Sequence, residues 1–196
     1  MLRRTLLLAS ALLLAACQKS GPERLAFKGI DLTGADYARA LNLTDQDGRA
    51  RSLADFKGKV VVVFFGYTQC PDVCPTTMAE VAEVKRSLGA DGDRVQGVFV
   101  TVDPERDTAS LLKAYLGSFD PSFVGLRGSE EQTRAAAKEF KVFYAKVPGK
   151  APETYTMDHT AASFIFDTEG RVRVYARYGA GAQPLIDDIK LLLAEK

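Results

Sequence analysis

Two cysteines and one histidine are the residues of this chain best suited to chemistry. The 196 residues hold three Cys and a single His, so any soft-ligand or redox site draws on very few side chains. Cys70 and Cys74 lie in the run Gly66-Tyr67-Thr68-Gln69-Cys70-Pro71-Asp72-Val73-Cys74-Pro75. Pro75 disfavours helical geometry for the residue before it, yet suits the first position of a helix. The expected arrangement is therefore Cys74 as helix cap, with Cys70 in the loop just ahead. Both sulfurs then feel the positive end of a helix dipole, which favours thiolate over thiol. Metal binding and disulfide exchange both require thiolate. Three residues separate the cysteines, which opens the loop enough for both sulfurs to face one metal ion. The spacing also permits a Cys70–Cys74 disulfide when oxidised. Such a bond by itself would close a tiny loop and constrain little.

The elements that must hold these residues are legible in the apolar pattern. Val60-Val61-Val62-Val63-Phe64-Phe65, within Lys59 to Gly66, is a continuous β-branched and aromatic run, as expected of a strand buried on both faces. A helix over Pro75 to Leu88 follows, closed by Gly89. Val95 to Val102 is a second buried strand. Thr108 to Leu116 is a second helix, capped by Asp107 or Thr108. Phe123 to Leu126 reads as a short strand. Ser129 to Phe140 reads as a third helix, opened by a Ser129/Gln132 capping box. Lys141 to Val147 is extended. Ala162 to Phe166 and Arg171 to Tyr178 form a hairpin about Asp167-Thr168-Glu169-Gly170, and Gln183 to Ala194 is the last helix. Ahead of all these, Leu41 to Thr44 with the turn Asp45 to Gly48 suggests an N-terminal β-hairpin, and Ser52 to Gly58 a single helical turn. This order predicts an α/β domain with a central mixed sheet flanked by helices. A cysteine motif between the first core strand and its helix is the thioredoxin-like arrangement.

His159 sits in Tyr155-Thr156-Met157-Asp158-His159-Thr160, read as a loop leading into the Ala162 strand. In a thioredoxin-like sheet that loop lies against the cysteine loop, so His159 can reach both sulfurs. Thioredoxins place a cis-proline there; here no Pro occurs between Asp158 and Phe166. Asp158 reads as an ordinary loop carboxylate, with a supporting place behind the site as the alternative. Met157 reads as packing. Two thiolates and an imidazole suit Cu(I), accommodate Cu(II) and could hold Zn(II). A structural zinc would want a fourth ligand, and none is evident.

The N-terminus reads as an address. Arg3 and Arg4 precede a short Leu- and Ala-rich stretch, Thr5 to Ala16, of about a dozen residues, too short to span a bilayer comfortably. Leu14-Ala15-Ala16-Cys17 resembles the lipobox of bacterial lipoproteins. The expected organisation is a signal peptide over 1–16, a lipidated Cys17 with tether over 17–25, and one folded domain over 26–196. Removing Cys17 to lipid leaves a single cysteine pair, which resolves the odd count in an exported chain. Lys and Arg total 26 against 25 Asp and Glu, with no long basic run, so nucleic-acid binding has no electrostatic support.

Three separated blocks now point one way. Phe65 to Thr77, with Cys70-Pro71-Asp72-Val73-Cys74-Pro75 at its centre, resembles the signature of the Sco/SenC copper proteins. Asp103-Pro104-Glu105-Arg106-Asp107-Thr108 and Tyr155 to Thr160 resemble two further blocks of that family, in the same order. The resemblance covers about residue 30 onwards. It implies a thioredoxin-like fold, copper held by Cys70, Cys74 and His159, and a role in assembling the copper A centre of cytochrome c oxidase subunit II. It implies a site on the periplasmic side of a bacterial membrane, served by a periplasmic copper donor or thiol reductant. The Asp103 block has no derivable metal role; Asp103 ends a strand and Pro104 opens a loop. The alternative is a thiol–disulfide reductase using Cys70 and Cys74 as redox pair, with His159 tuning the thiolate. A peroxidase is weaker still, because no arginine-activated cysteine is evident.

The lipobox reading carries a direct test. Cys17→Ser should release the protein from membranes without disturbing the fold, and radiolabelled fatty acid should enter the wild type but not the variant. Stable attachment would need the several acyl chains of a mature lipoprotein, since one chain anchors only marginally. An unlabelled wild type would refute it.

Overall fold

The computed structural model describes residues 25–151 and 154–195. The leader, Cys17 and most of the tether lie outside the described residues. Among the described residues, no helix is long and apolar enough to cross a membrane.

The Val60–Gly66 run forms β4, and all seven of its residues are buried. It pairs in parallel with β5, Val95–Thr101, also buried throughout, and β5 pairs in parallel with β6, Val124–Arg127. On its other side β4 runs antiparallel to β9, Ala162–Phe166, followed by β10, Val172–Arg177, and β1, Ile30–Asp31. The expected N-terminal hairpin is present as β2, Leu43–Asp45, and β3, Ala50–Arg51. It extends the sheet beyond β6, giving the order β1-β10-β9-β4-β5-β6-β2-β3. A parallel centre with antiparallel flanks is the mixed sheet expected, and strands buried on both faces need helices on both.

The helices are α1, Val73–Ser87; α2, Ala109–Gly117; α3, Glu130–Glu139; and α4, Ala182–Ala194. Thr108 caps α2, its hydroxyl accepting from the Leu111 N–H at 3.2 Å. Ser129 and Gln132 make the reciprocal box at α3, with bonds of 3.2 and 2.9 Å. The last turn of α3 delivers Phe140 into the core, fully buried against Phe65, Phe164 and Phe166 at centroid distances of 5.1, 5.3 and 6.0 Å.

Three elements differ from the sequence reading. The helix after β4 begins at Val73, with Asp72 as its cap, rather than at Pro75. Cys74 is thus inside the first turn, and Pro75 stands where a missing N–H costs nothing, because the first four donors of a helix have no intrahelical partner. The segment read as a loop before β9 is a strand, β8, Tyr155–His159, paired with β7, Tyr144–Pro148, in a second, two-stranded sheet. Only Met157 on β8 is buried, so the segment lacks the apolar run that announces a core strand. Strand β1 was not anticipated at all; two residues, both exposed, leave no pattern to read.

Phe140→Ala should lower stability by about 3–5 kcal/mol, the cost of emptying a fully buried aromatic site. Urea unfolding of the reduced protein measures it; a loss well under about 1 kcal/mol would show that the three partner rings collapse into the gap.

Candidate metal centre

The sulfurs of Cys70 and Cys74 and the ring of His159 converge. One ligand atom from each lies within 4.8 Å of the other two, and these three are the one such cluster among the described residues. Cys74 Sγ lies 3.4 Å from His159 Nε2, although 85 residues separate them. The Cys74 N–H points to Cys70 Sγ at 3.4 Å, so the first turn of α1 holds the Cys70 sulfur over its backbone. His159 Nδ1 lies 3.1 Å from the Thr160 carbonyl. A carbonyl only accepts, so Nδ1 carries the proton and the Nε2 lone pair faces the sulfurs.

The site is sealed on one side and open on the other. Cys74 is fully buried, whereas Cys70 is half-buried beside the exposed Pro71 and Asp72. Below Cys74 the last residue of β4 must be small. A Cβ on Gly66 would meet Cys74 Sγ and Phe64 Cε1 at 2.8 Å and Phe99 Cε2 at 3.0 Å. Phe64 and Tyr67 hold the imidazole edge-on, with ring centroids 5.8 and 6.0 Å away.

The Asp103–Thr108 block, read from sequence as a strand end and a loop, joins the two arms of the site. The buried Asp103 carboxylate accepts from Arg106 Nε and from the Tyr155 hydroxyl, the latter at 2.9 Å. Arg106 Nη1 donates to Gln69 Oε1 at 3.1 Å and to the Tyr155 carbonyl at 2.9 Å. The guanidinium stacks 3.6 Å over the Tyr155 ring. Asp107, fully buried, accepts from the hydroxyls of Thr68 and Thr101, each at 2.6 Å. A buried strand running straight into Asp-x-x-Arg-Asp was the available signal, since such charges enter a core only when partnered. Asp158 is exposed on β8 and Met157 is buried, in agreement with the plain reading of each.

The model of the SCO1/SenC family matches residues 31–194. The chain belongs to the SCO1/SenC family. Over 155 residues it is 36% identical to the mitochondrial SCO2 homolog of Mus musculus, covering 78% of this chain and 61% of that one. It is 42% identical to Bradyrhizobium japonicum ScoI, whose structure has copper bound, with a TM-score of 0.72 and coverage of 79% and 98%. Apo Sco1 from Thermus thermophilus, solved in solution, is 38% identical, with a TM-score of 0.76 and coverage of 88% and 100%. The thioredoxin-like fold expected from the element order is thereby established.

Burial sets the protonation of this SCO1/SenC site when no metal is bound. Loss of solvent drives the Cys74 thiol well above the ordinary cysteine range, outweighing the backbone contact with Tyr67 that opposes it. Loss of solvent also lowers His159 below the ordinary imidazole value, against the opposing pull of the Thr160 carbonyl and Asp158. The sequence-based expectation of a Cys74 thiolate at a helix start is therefore corrected: partial helix charges do not compensate full removal from water. The metal-free pair is a thiol facing a neutral imidazole. A soft cation held there would have to displace the Cys74 proton, so its uptake would release a proton.

These shifts fix a pH dependence for the reduced, metal-free protein. On unfolding, the thiol returns to an ordinary value of 9.0 and the imidazole to 6.5. The raised thiol contributes stability that is complete below pH 9.0 and is lost as pH rises beyond it. The lowered imidazole contributes stability that is complete above pH 6.5 and is lost as pH falls below it. Unfolding free energy against pH should form a plateau between these values. Cys74→Ala should flatten the onset of the alkaline limb, between pH 9.0 and the 10.0 at which the raised tyrosines begin to contribute, and His159→Ala the limb just below pH 6.5. Unaltered slopes in the variants would contradict the assignment.

Proposed function

We propose that this chain is a copper metallochaperone that assists assembly of the copper A centre of cytochrome c oxidase subunit II. It works from the periplasmic side of a bacterial membrane, tethered by lipid on Cys17. One observation carries the reading: two sulfurs and one imidazole nitrogen converge within 4.8 Å, with one sulfur accessible. Two soft thiolates and one nitrogen match copper, and Cu(I) above all, because a low-coordinate soft ion needs no fourth donor. Copper bound to Bradyrhizobium japonicum ScoI supports the same cargo here. The match spans 61% of the mouse protein's length, so the activity and partners of the whole molecule belong to the proposal.

In this reading Cys74 and His159 hold the cargo from the buried side and Cys70 from the open side. An incoming thiolate of subunit II reaches the metal past Cys70, and the copper passes by exchange of one thiolate for another. A periplasmic copper donor loads the site in the reverse sense. The reduced protein should bind one copper per chain under anaerobic titration. Cys70→Ala, Cys74→Ala and His159→Ala should each weaken binding severely; full-strength binding by all three would sink the assignment.

A second reading is favoured by the proximity of Cys70 and Cys74, both free and near enough for a disulfide after a small shift. It is a thiol–disulfide reductase that keeps the copper-site cysteines of subunit II reduced. One sulfur attacks the partner disulfide and the other resolves the mixed disulfide, so the protein leaves oxidised and a periplasmic reductant restores it. His159 separates the two roles, being a ligand in the first and only modulatory in the second. His159→Ala should keep measurable disulfide exchange yet fail to support oxidase assembly in cells lacking the wild type. Normal copper A content with this variant at low copper would replace the delivery reading with the reductase one.

A further inference from the structure

His159 reaches the cysteines from a sheet that is not hydrogen-bonded into the main one. Strand β8 is fixed at one end, because Ala162, three residues beyond His159, begins β9 and pairs with Arg177. Among the described residues, no strand pairing with the main sheet fixes the other end, at Tyr155. Beside the contact of Tyr67 with the Met157 backbone, the side chain that ties that end is Arg106. One guanidinium nitrogen donates both to Gln69, which adjoins Cys70, and to the carbonyl of Tyr155, four residues before His159 on the same strand. The same guanidinium is anchored through Nε by the buried Asp103 and lies flat on the Tyr155 ring. The Tyr155 hydroxyl closes the loop by donating to Asp103. Glu105 adds an outer tie to Lys146 on β7 at 2.5 Å.

We propose that Arg106 is a positioning residue for the metal centre: it clasps the cysteine loop to the β7–β8 hairpin and so sets the distance of His159 from the two sulfurs. It is not one of the three donors that converge. Its action requires a fork of donors. Lysine can keep the charge contact with Asp103, but a single ammonium on a flexible stem cannot hold Asp103 while also reaching Gln69 and the Tyr155 carbonyl and lying flat on the ring, as Nε and Nη1 of one planar guanidinium do. Loss of the clasp frees the Tyr155 end of β8, and His159 then samples positions away from Cys74. Partners of metal ligands that act in this way are worth roughly 10–100-fold in metal affinity.

The inference rests on the copper reading for its metal readout only, and the single His provides a readout without metal. In the reduced, metal-free protein, nuclear Overhauser contacts of the one imidazole with the Phe64 and Tyr67 rings report its position. In the Cu(II)-loaded protein, superhyperfine coupling to one nitrogen in the electron paramagnetic resonance spectrum reports ligation. Arg106→Lys should fold, as judged by far-UV circular dichroism and a cooperative melt. It should lose or weaken both signatures and bind copper roughly 10–100-fold less tightly, approaching His159→Ala. Arg106→Gln should do the same and serves where the lysine variant fails to fold. Wild-type ring contacts and nitrogen coupling in either folded variant would overturn the proposal. So would loss of the fold in both, which would make Arg106 a support of the core instead. A wild-type protein without copper affinity would refute the chaperone reading, and the ring contacts would still decide the role of Arg106.

Discussion

The buried contact between Cys74 Sγ and His159 Nε2 joins a helix that leaves the main sheet to a strand that belongs to the second, two-stranded sheet. Cys74 belongs to the first turn of a helix that grows from the central strand β4, and His159 to the last residue of a hairpin strand outside the main sheet. Each arm is rigid by a different means. The cysteine arm is held by burial, with its sulfur pressed against the end of β4 and Thr68 tied down by Asp107. The histidine arm is held by its junction with β9 on one side and the Arg106 clasp on the other. Three donors drawn from two arms depend on such ties, because a shift of one ångström in either arm would change how closely the two sulfurs and the imidazole approach one another.

The same burial explains why the metal-free site is quiet. A sulfur excluded from water resists ionisation, and one that is not ionised is a poor nucleophile. Burial thus keeps the metal-free Cys74 as a thiol. Cys70 is half-buried, on the open side of the site. The two cysteines share a motif but have different surroundings.

Much of this was legible in the residues. The Val60 to Phe65 run could only be a doubly buried strand, and the capping signals at Thr108 and at Ser129 with Gln132 marked helix starts that the structure keeps within a residue. The convergence of Cys70, Cys74 and His159 was expected from residue type, rarity and the place of each among the elements. Other features were hidden for physical reasons. The extended reading of Lys141 to Val147 holds in β7, but β8 has a single buried residue, so periodicity had little to detect there and the pairing of the two was not legible. The protonation of Cys74 depends on how deeply its sulfur is packed, and no spacing rule encodes depth. The role of Arg106 depends on reaching 37 residues back and 49 forward at once, a pairing visible only after folding.

Gly66 has a consequence for anyone who would transplant this centre. The residue offers no donor, and an inventory of the site by chemistry would omit it. Yet the volume its missing side chain leaves is where the second sulfur sits, between Phe64 and Phe99. A host sheet given the two cysteines and the histidine but an ordinary residue at that strand end would push the thiol outward, toward solvent and oxidants. The smallest portable unit is therefore a vacancy in a strand plus three ligands, and the vacancy must be engineered first.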